Sequence, residues 1–308
     1  MHKRQTAILL ALAGIILFST KAIFVKLAYQ FNADPITMLL LRMVFSLPFY
    51  VFFAFYRNSE KSIATHKDYG LLILFGFLGY YLASYFDFKG LIYVKASLER
   101  LILFTYPTFV ILYSYYFLNI RINRNQLWAI LITYVGILIV FVPEVDIGDQ
   151  IATIKGTGLI LLSALTYGAY IFGSGWLIPK FGARRFTSYV MIISSALIIV
   201  QFLVESKMQI NVLALPKGIY ILGFLIAIVS TVIPSFLISF AIKELGANQF
   251  SIYGSVGPIS TISLAFVFLG ERMTGWQVFG GLVVIAGVLA AEYYRKQVKT
   301  LPESPAQA

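Results

Sequence analysis

Long apolar stretches, separated by short polar breaks, follow one another along almost the whole chain. A helix needs about 20 apolar residues to cross about 30 Å of hydrocarbon. Ten stretches qualify: Thr6–Tyr29, Pro35–Tyr56, Tyr69–Leu91, Ala96–Leu118, Asn125–Val142, Gly156–Leu177, Phe186–Val204, Gly218–Ile242, Ala247–Leu269 and Thr274–Tyr294. The runs are continuous and lack the alternation that a membrane barrel wall requires, so all ten are read as helices. The first stretch follows Lys3 and Arg4, as in a signal peptide. It is too long for one, and Lys21 and Lys26 interrupt the region where cleavage would fall, so it reads as the first span.

Composition agrees with an all-α membrane protein. Of 308 residues, 59% are hydrophobic and 12% charged, whereas soluble domains carry about 25% charged residues. A mean hydropathy of +0.85 excludes a soluble enzyme and a disordered chain. The absence of cysteine excludes a disulfide scaffold, thiol redox chemistry and zinc–thiolate sites. A net charge of +11 would point to nucleic acid in a soluble protein. Here it follows the rule that cytoplasmic loops collect Lys and Arg. With the N-terminus inside, fourteen basic residues fall on the cytoplasmic side and six outside, with four left within spans. Both termini are therefore expected in the cytoplasm, the protein in a bacterial inner membrane, and no nucleic acid among its partners.

The chain also repeats itself. A shift of 151 residues lays Pro107 on Pro258, Leu118 on Leu269, Arg121 on Arg272, Gln126 on Gln277 and Gly136 on Gly287. From Pro107 to Val140, nine of 34 positions are identical. Five spans per copy is an odd number, so the second copy enters the membrane from the opposite side. The expected division is a short N-terminus (1–5), a first repeat (6–142), an outer linker (143–155), a second repeat (156–294) and a basic tail (295–308). Such inverted repeats place a cavity near the midplane, opened alternately by rocking one set of helices against the other. Pro107 and Pro258 fall mid-span at matching places and predict paired helix breaks. Pro234 has no counterpart, since Ala83 stands at the equivalent position.

Particular residues carry a family resemblance. Lys95-Ala96-Ser97-Leu98, Pro107 and Asn119-Ile120-Arg121 in the first copy resemble the EamA family of the drug/metabolite transporter superfamily. So do Gly246-Ala247, Pro258 and Leu269-Gly270-Glu271-Arg272 in the second copy, along with Lys26 near the end of span one and Arg42 in span two. The resemblance covers about residues 7 to 294. It implies ten transmembrane helices in two inverted halves and transport of small metabolites, often export of amino acids or related compounds. The first copy departs from the pattern with Asn119-Ile120 where the second has Gly270-Glu271, and span four carries Glu99-Arg100 where small apolar residues are usual.

Charges in hydrocarbon are costly and mark function. Lys21, Arg42, Asp87, Glu99 and Arg100 all fall in the outer half of the first copy, while the second copy has no intraspan charge before Glu292. Lys21 or Arg42 is expected to pair with Asp87 or Glu99. Glu99 and Arg100, adjacent on one helix, must face different ways. Two readings of the cluster stand: a site that receives a substrate carboxylate, with Glu99 or Asp87 as the proton-coupling group, or an ion-pair cluster that fixes helix register or seals the outer gate. Tyr81 and Tyr85 share a face of span three, Tyr170 lies in an aromatic stretch of span six, and Gln249 and Tyr253 share a face of span nine. These join the candidate cavity lining. Ser230 and Thr231 are placed to satisfy carbonyls freed near Pro234. Gly79, Gly168, Gly280 and Gly287 are expected at close helix contacts.

No phosphate loop and no HExxH motif occurs, and the two histidines lie in the tail and a loop. No enzyme, metal site or cofactor is expected. The expected activity is secondary transport, in the export direction, of an amino acid or related zwitterion or anion. The alternatives are an uptake carrier of the same fold, or a lipid translocase or accessory membrane subunit. Its partners would be a small-molecule substrate and the lipid bilayer, with the chain as a monomer or homodimer.

Overall fold

The computed structural model describes residues 2–56, 64–147, 149–205 and 215–298. Every regular element among them is helical. In chain order these are α1 (His2–Gln30), α2 (Pro35–Phe55), α3 (His66–Gly76), α4 (Ala83–Gly90), α5 (Ala96–Leu103), α6 (Tyr106–Leu118) and α7 (Arg124–Ile147), then α8 (Gln150–Phe181), α9 (Ala183–Glu205), α10 (Lys217–Ala227), α11 (Ile233–Tyr253), α12 (Val256–Leu269) and α13 (Gly275–Val298). A π-helical turn, Phe77–Leu82, joins α3 to α4, and another, Ile228–Val232, joins α10 to α11. Eight stretches among the described residues are long and apolar enough to cross a bilayer; Val256–Leu269 and Gly275–Ala291 are apolar but shorter. The ninth expected span, Ala247–Leu269, starts within α11, which kinks at Gly246 (φ 78°, ψ 155°), and turns again at Gly254–Ser255 before α12 begins.

Features recur at the 151-residue spacing wherever local chemistry allows. The two π turns, starting at Phe77 and Ile228, are equivalent. Asn119 (φ 52°) ends α6 and Gly270 (φ 65°) ends α12, both in the left-handed region where Gly and Asn are favoured. Their N–H groups donate to the equivalent carbonyls of Ser114 and Ala265. Asn123 and Gln126 exchange side-chain and backbone hydrogen bonds before α7, and Thr274 and Gln277 do the same before α13. These are reciprocal caps that satisfy otherwise orphaned N–H groups.

The same reciprocity fixes how α7 and α13 pack. A Cβ on Gly136 would lie 2.7 Å from Val284 N and 2.9 Å from Gly280 O; one on Gly287 would lie 2.7 Å from Thr133 N and 3.0 Å from Ala129 O. The partners are themselves 151 residues apart, so the two helices cross about a local two-fold axis, backbone on backbone. Around this pair the halves exchange their first helices. α1 packs against α10, α11 and α12, and α8 packs against α3, α4, α5 and α6. Gly168 admits Phe109 and the Tyr106 carbonyl against α8, with Cβ separations of 2.9 and 3.0 Å, and Gly79 admits the ring of Tyr170.

The outward faces are apolar: Phe55, Tyr116, Phe117, Trp128, Val204, Trp276 and Leu282 are all exposed. That surface needs lipid rather than water. The stretch expected as a linker, 143–155, is mostly helical. The Asp149 carboxylate accepts the Ala152 N–H at 3.2 Å and starts α8 at Gln150, just after α7 ends at Ile147. This cap signal extends the helix well beyond its apolar core.

Candidate functional site

Five charged residues of the first half converge where α1, α2, α4 and α5 meet. Lys21 Nζ donates to Asp87 Oδ2 at 2.6 Å and lies 3.6 Å from Glu99 Oε1. The three residues are 4%, 1% and 0% exposed. One ammonium thus serves two buried carboxylates. Among the described residues, Asp87 Oδ1 and both oxygens of Glu99 have no hydrogen-bond donor. Buried carboxylates are normally paired and fully hydrogen-bonded, because desolvation otherwise outweighs their attraction to a partner. This trio is one positive charge short of neutrality and three donors short of satisfaction.

Among the described residues, Arg42 does not pair with an acid. Its Nε donates to Thr231 Oγ1 at 2.8 Å, its Nη1 to Ser84 Oγ at 2.9 Å, and its guanidinium lies 5.7 Å from the Phe88 ring centroid. Thr231 donates its own proton to the Ile226 carbonyl, five residues back, at 2.8 Å. The second π turn therefore seats Arg42. It frees a carbonyl, the threonine hydroxyl satisfies that carbonyl, and the hydroxyl lone pair accepts from the guanidinium. That carbonyl, of Ile226, lies in the last turn of α10 just before the π turn, and not beside Pro234.

Glu99 and Arg100 do face different ways. Arg100 turns toward α1 and α12, where Nη2 donates to Ser19 Oγ at 3.3 Å and the guanidinium sits 5.4 Å from the Phe18 ring. A Cβ on Gly257 would lie 2.6 Å from that Nη2, so glycine is what lets the guanidinium lie against the first turn of α12.

Two adjoining cavities open beside these charges. One is lined by Lys21, Arg42, Asp87, Ser84 and Tyr80 among others. The second is lined by Arg100, Phe104, Tyr106 and Phe250 among others. Phe18, Leu103 and Tyr167 line both and form the partition. Phe18 and Tyr167 stack at 6.4 Å with 12° between ring planes, and Lys21 Nζ lies 5.0 Å from the Phe18 centroid.

The remaining expected residues are less central. Tyr170 is buried in an aromatic row, edge-on to Tyr80 at 5.0 Å and stacked on Tyr167 and Phe186 at 6.0 and 5.8 Å. It supports the cavity wall from behind. Tyr81 packs on Phe77 at 5.3 Å, and Tyr85 accepts from Lys89; both lie outside the two cavities. Tyr253 ends α11 half-buried against the core, and the side chain of Gln249 lies outside the described residues. Pro107 and Pro258 are buried in the first turns of α6 and α12, so each belongs to the half-helix that restarts after a break.

Several lining residues lay unselected in the sequence. Tyr80 and Ser84 precede the expected Asp87 at i, i+4, i+7 spacing, and Phe18 stands three before Lys21, so helical periodicity could have found them. Glu271 has a role its motif did not reveal. Its carboxylate accepts from the backbone N–H groups of Ala96 and Ser97 at 2.9 and 3.0 Å, and from Ser97 Oγ at 2.7 Å. It caps α5, the helix that carries Glu99 and Arg100, from the opposite half of the chain. Lys26 lies within electrostatic range of the same carboxylate.

Comparison with known proteins bears directly on this architecture. A model of the EamA-like transporter family matches residues 5–142 and again residues 154–292. The chain belongs to the EamA-like transporter family. It is 31% identical over 295 residues to YcbK, an uncharacterized transporter of Bacillus subtilis (strain 168), covering 94% of this chain and 93% of that protein. It is 26% identical over 326 residues to YcxC of the same organism, covering 99% of both. A solved crystal structure shares the fold at a TM-score of 0.63, with 14% identity over 96% of this chain and 99% of that one. The protein is thus a helical membrane transporter with an EamA-like unit in each half.

Proposed function

We propose that this EamA-like protein is a secondary carrier that exports a small anionic or zwitterionic metabolite, an amino acid or relative, from the bacterial cytoplasm by alternating access. It crosses the inner membrane ten times, in two five-helix halves of opposite topology, with both termini inside. End-to-end contacts support that threading. Glu271, before α13, meets the start of α5. At the other end, Lys180 pairs with Asp68 at 2.6 Å, Arg184 lies 5.5 Å from the Tyr56 ring, and Asn123 reaches the Tyr294 carbonyl at 3.3 Å. The excess of Lys and Arg on this second side supports its assignment as the cytoplasmic one.

The observation that carries the carrier reading is the Lys21–Asp87–Glu99 trio beside a cavity, with three carboxylate oxygens lacking donors. A purely structural ion pair would be better satisfied. A proton on Glu99 would supply both the missing charge and a missing donor, so Glu99, with Asp87 beside it, is the proton-coupling site. Lys21, Arg42 and Arg100 provide the positive field that attracts an anionic group. Pro107 and Pro258 mark the half-helices whose breaks let each half rock.

Overexpression of the chain followed by mass spectrometry of cells and medium tests this reading. One compound or a small related group is expected to accumulate in the medium. The effect should vanish for Lys21→Ala and Glu99→Gln proteins that remain at wild-type levels in the membrane. Accumulation inside the cell would reverse the direction, and an unchanged metabolite profile would remove the carrier reading.

A further inference from the structure

We infer that the cavity beside Arg100 receives the organic body of the substrate, and that this substrate is a monocarboxylate with a flat aryl body, its carboxylate held by Arg100. The inference rests on the carrier reading above and narrows its substrate class.

The three buried or half-buried cations of the site differ in how far the protein satisfies them. Lys21 has Asp87 at 2.6 Å, and Arg42 has two hydroxyl oxygens at 2.8 and 2.9 Å. Among the described residues, Arg100 has one hydrogen bond, a 3.3 Å contact to a neutral serine hydroxyl, and no ion pair. A guanidinium presents five N–H donors in a planar fork that matches a carboxylate. Arg100 is therefore the cation with donors to offer.

Arg100 is the charged residue in the lining of this cavity, whose other walls include Phe104, Tyr106 and Gly254. Among the described residues, no acidic side chain lines this cavity, and Glu99 lies toward Lys21, 3.6 Å from its Nζ. An anion is attracted here and an ammonium group repelled. The zwitterionic part of the proposed range is thus disfavoured, and a plain acid favoured.

The walls select the rest of the molecule. Five rings, those of Phe18, Phe104, Tyr106, Tyr167 and Phe250, enclose the space below the guanidinium. Rings favour a flat apolar partner in stacked or edge-on contact.

The test is calorimetric titration of the full chain in lipid nanodiscs with 3-phenylpropionate, phenylalanine, phenethylamine, hexanoate and propionate. 3-Phenylpropionate is expected to bind at least about tenfold tighter than phenethylamine or propionate, and tighter than phenylalanine. Arg100→Gln should weaken it about tenfold or more, the loss of a charge-assisted bidentate contact, and Arg100→Lys should weaken it less. Phe250→Leu should weaken the aryl acid more than hexanoate. Equal binding of acid and amine, unchanged affinity in Arg100→Gln, or no binding of the aryl acid to the wild type would each overturn the inference. The wild-type series decides even where a variant fails to fold. Export of a non-aryl metabolite that Lys21→Ala abolishes, with no aryl-acid binding, would sink this inference and leave the carrier reading in place. Absence of both would sink both.

Discussion

Lys21 is held by two carboxylates whose remaining oxygens lack donors, so its removal should strand charge. Lys21→Ala is expected to destabilise the protein by about 3–5 kcal/mol, the usual consequence of breaking a buried pair. Adding Asp87→Asn should recover part of that loss by removing one stranded charge. Thermal unfolding of the single and double variants in detergent checks this, and a double variant no more stable than the single one would deny that pairing dominates. Thr231 serves both the Ile226 carbonyl and Arg42. Thr231→Val should therefore lose about 1–3 kcal/mol, while Thr231→Ser should lose little, measured the same way. The charges themselves were legible in the sequence, because ionised side chains stand out in apolar runs. That an intraspan cation would meet Asp87 or Glu99 was legible too, but not that Lys21 rather than Arg42 would hold both. The partner of Arg42 was not. Thr231 is 189 residues away, and its readiness to accept depends on a π turn that no residue pattern announces.

At the scale of elements, the paired breaks were visible as Pro107 and Pro258, yet the chain leaves the helix just before each proline, at Phe104–Thr105 and Gly254–Ser255. Proline suits the first turn of a helix, where its missing N–H is not needed, so its position marks the restart rather than the bend. The early start of α8 at Asp149 was hidden because apolar length, not capping, guided the limits of the spans. The α7–α13 crossing gives the sharpest test of internal symmetry. Gly136→Val and Gly287→Val press on equivalent backbone atoms, so both should destabilise by about 1–3 kcal/mol or more, and by similar amounts. Strongly unequal melting temperatures would contradict the local two-fold relation. Glu271 caps α5 from the other half; Glu271→Leu should cost about 1 kcal/mol of stability, and Glu271→Gln less, because its amide oxygen still accepts.

For the whole molecule, the exchange of first helices matters most. α1 carries Lys21 and packs on α10–α12, while α8 carries Tyr167 and packs on α3–α6. The partition between the cavities, Phe18 on α1 against Tyr167 on α8, is therefore made of one helix from each half. Any rocking of the halves moves that partition and the charges beside it. The number of apolar runs and the repeat made this architecture readable. The exchange itself was not, because it depends on non-local packing through glycine contacts.

The most direct test of a gated passage uses the absence of cysteine from the chain. Ser84 lines the charged cavity and accepts from Arg42, so Ser84→Cys places one thiol inside the proposed path. Right-side-out and inside-out vesicles are then treated with a membrane-impermeant thiol reagent. Labelling from both faces is expected, with Glu99→Gln changing the ratio between them. A thiol that reacts from one face alone, or from neither, with or without Glu99→Gln, would contradict an alternating passage between the two halves.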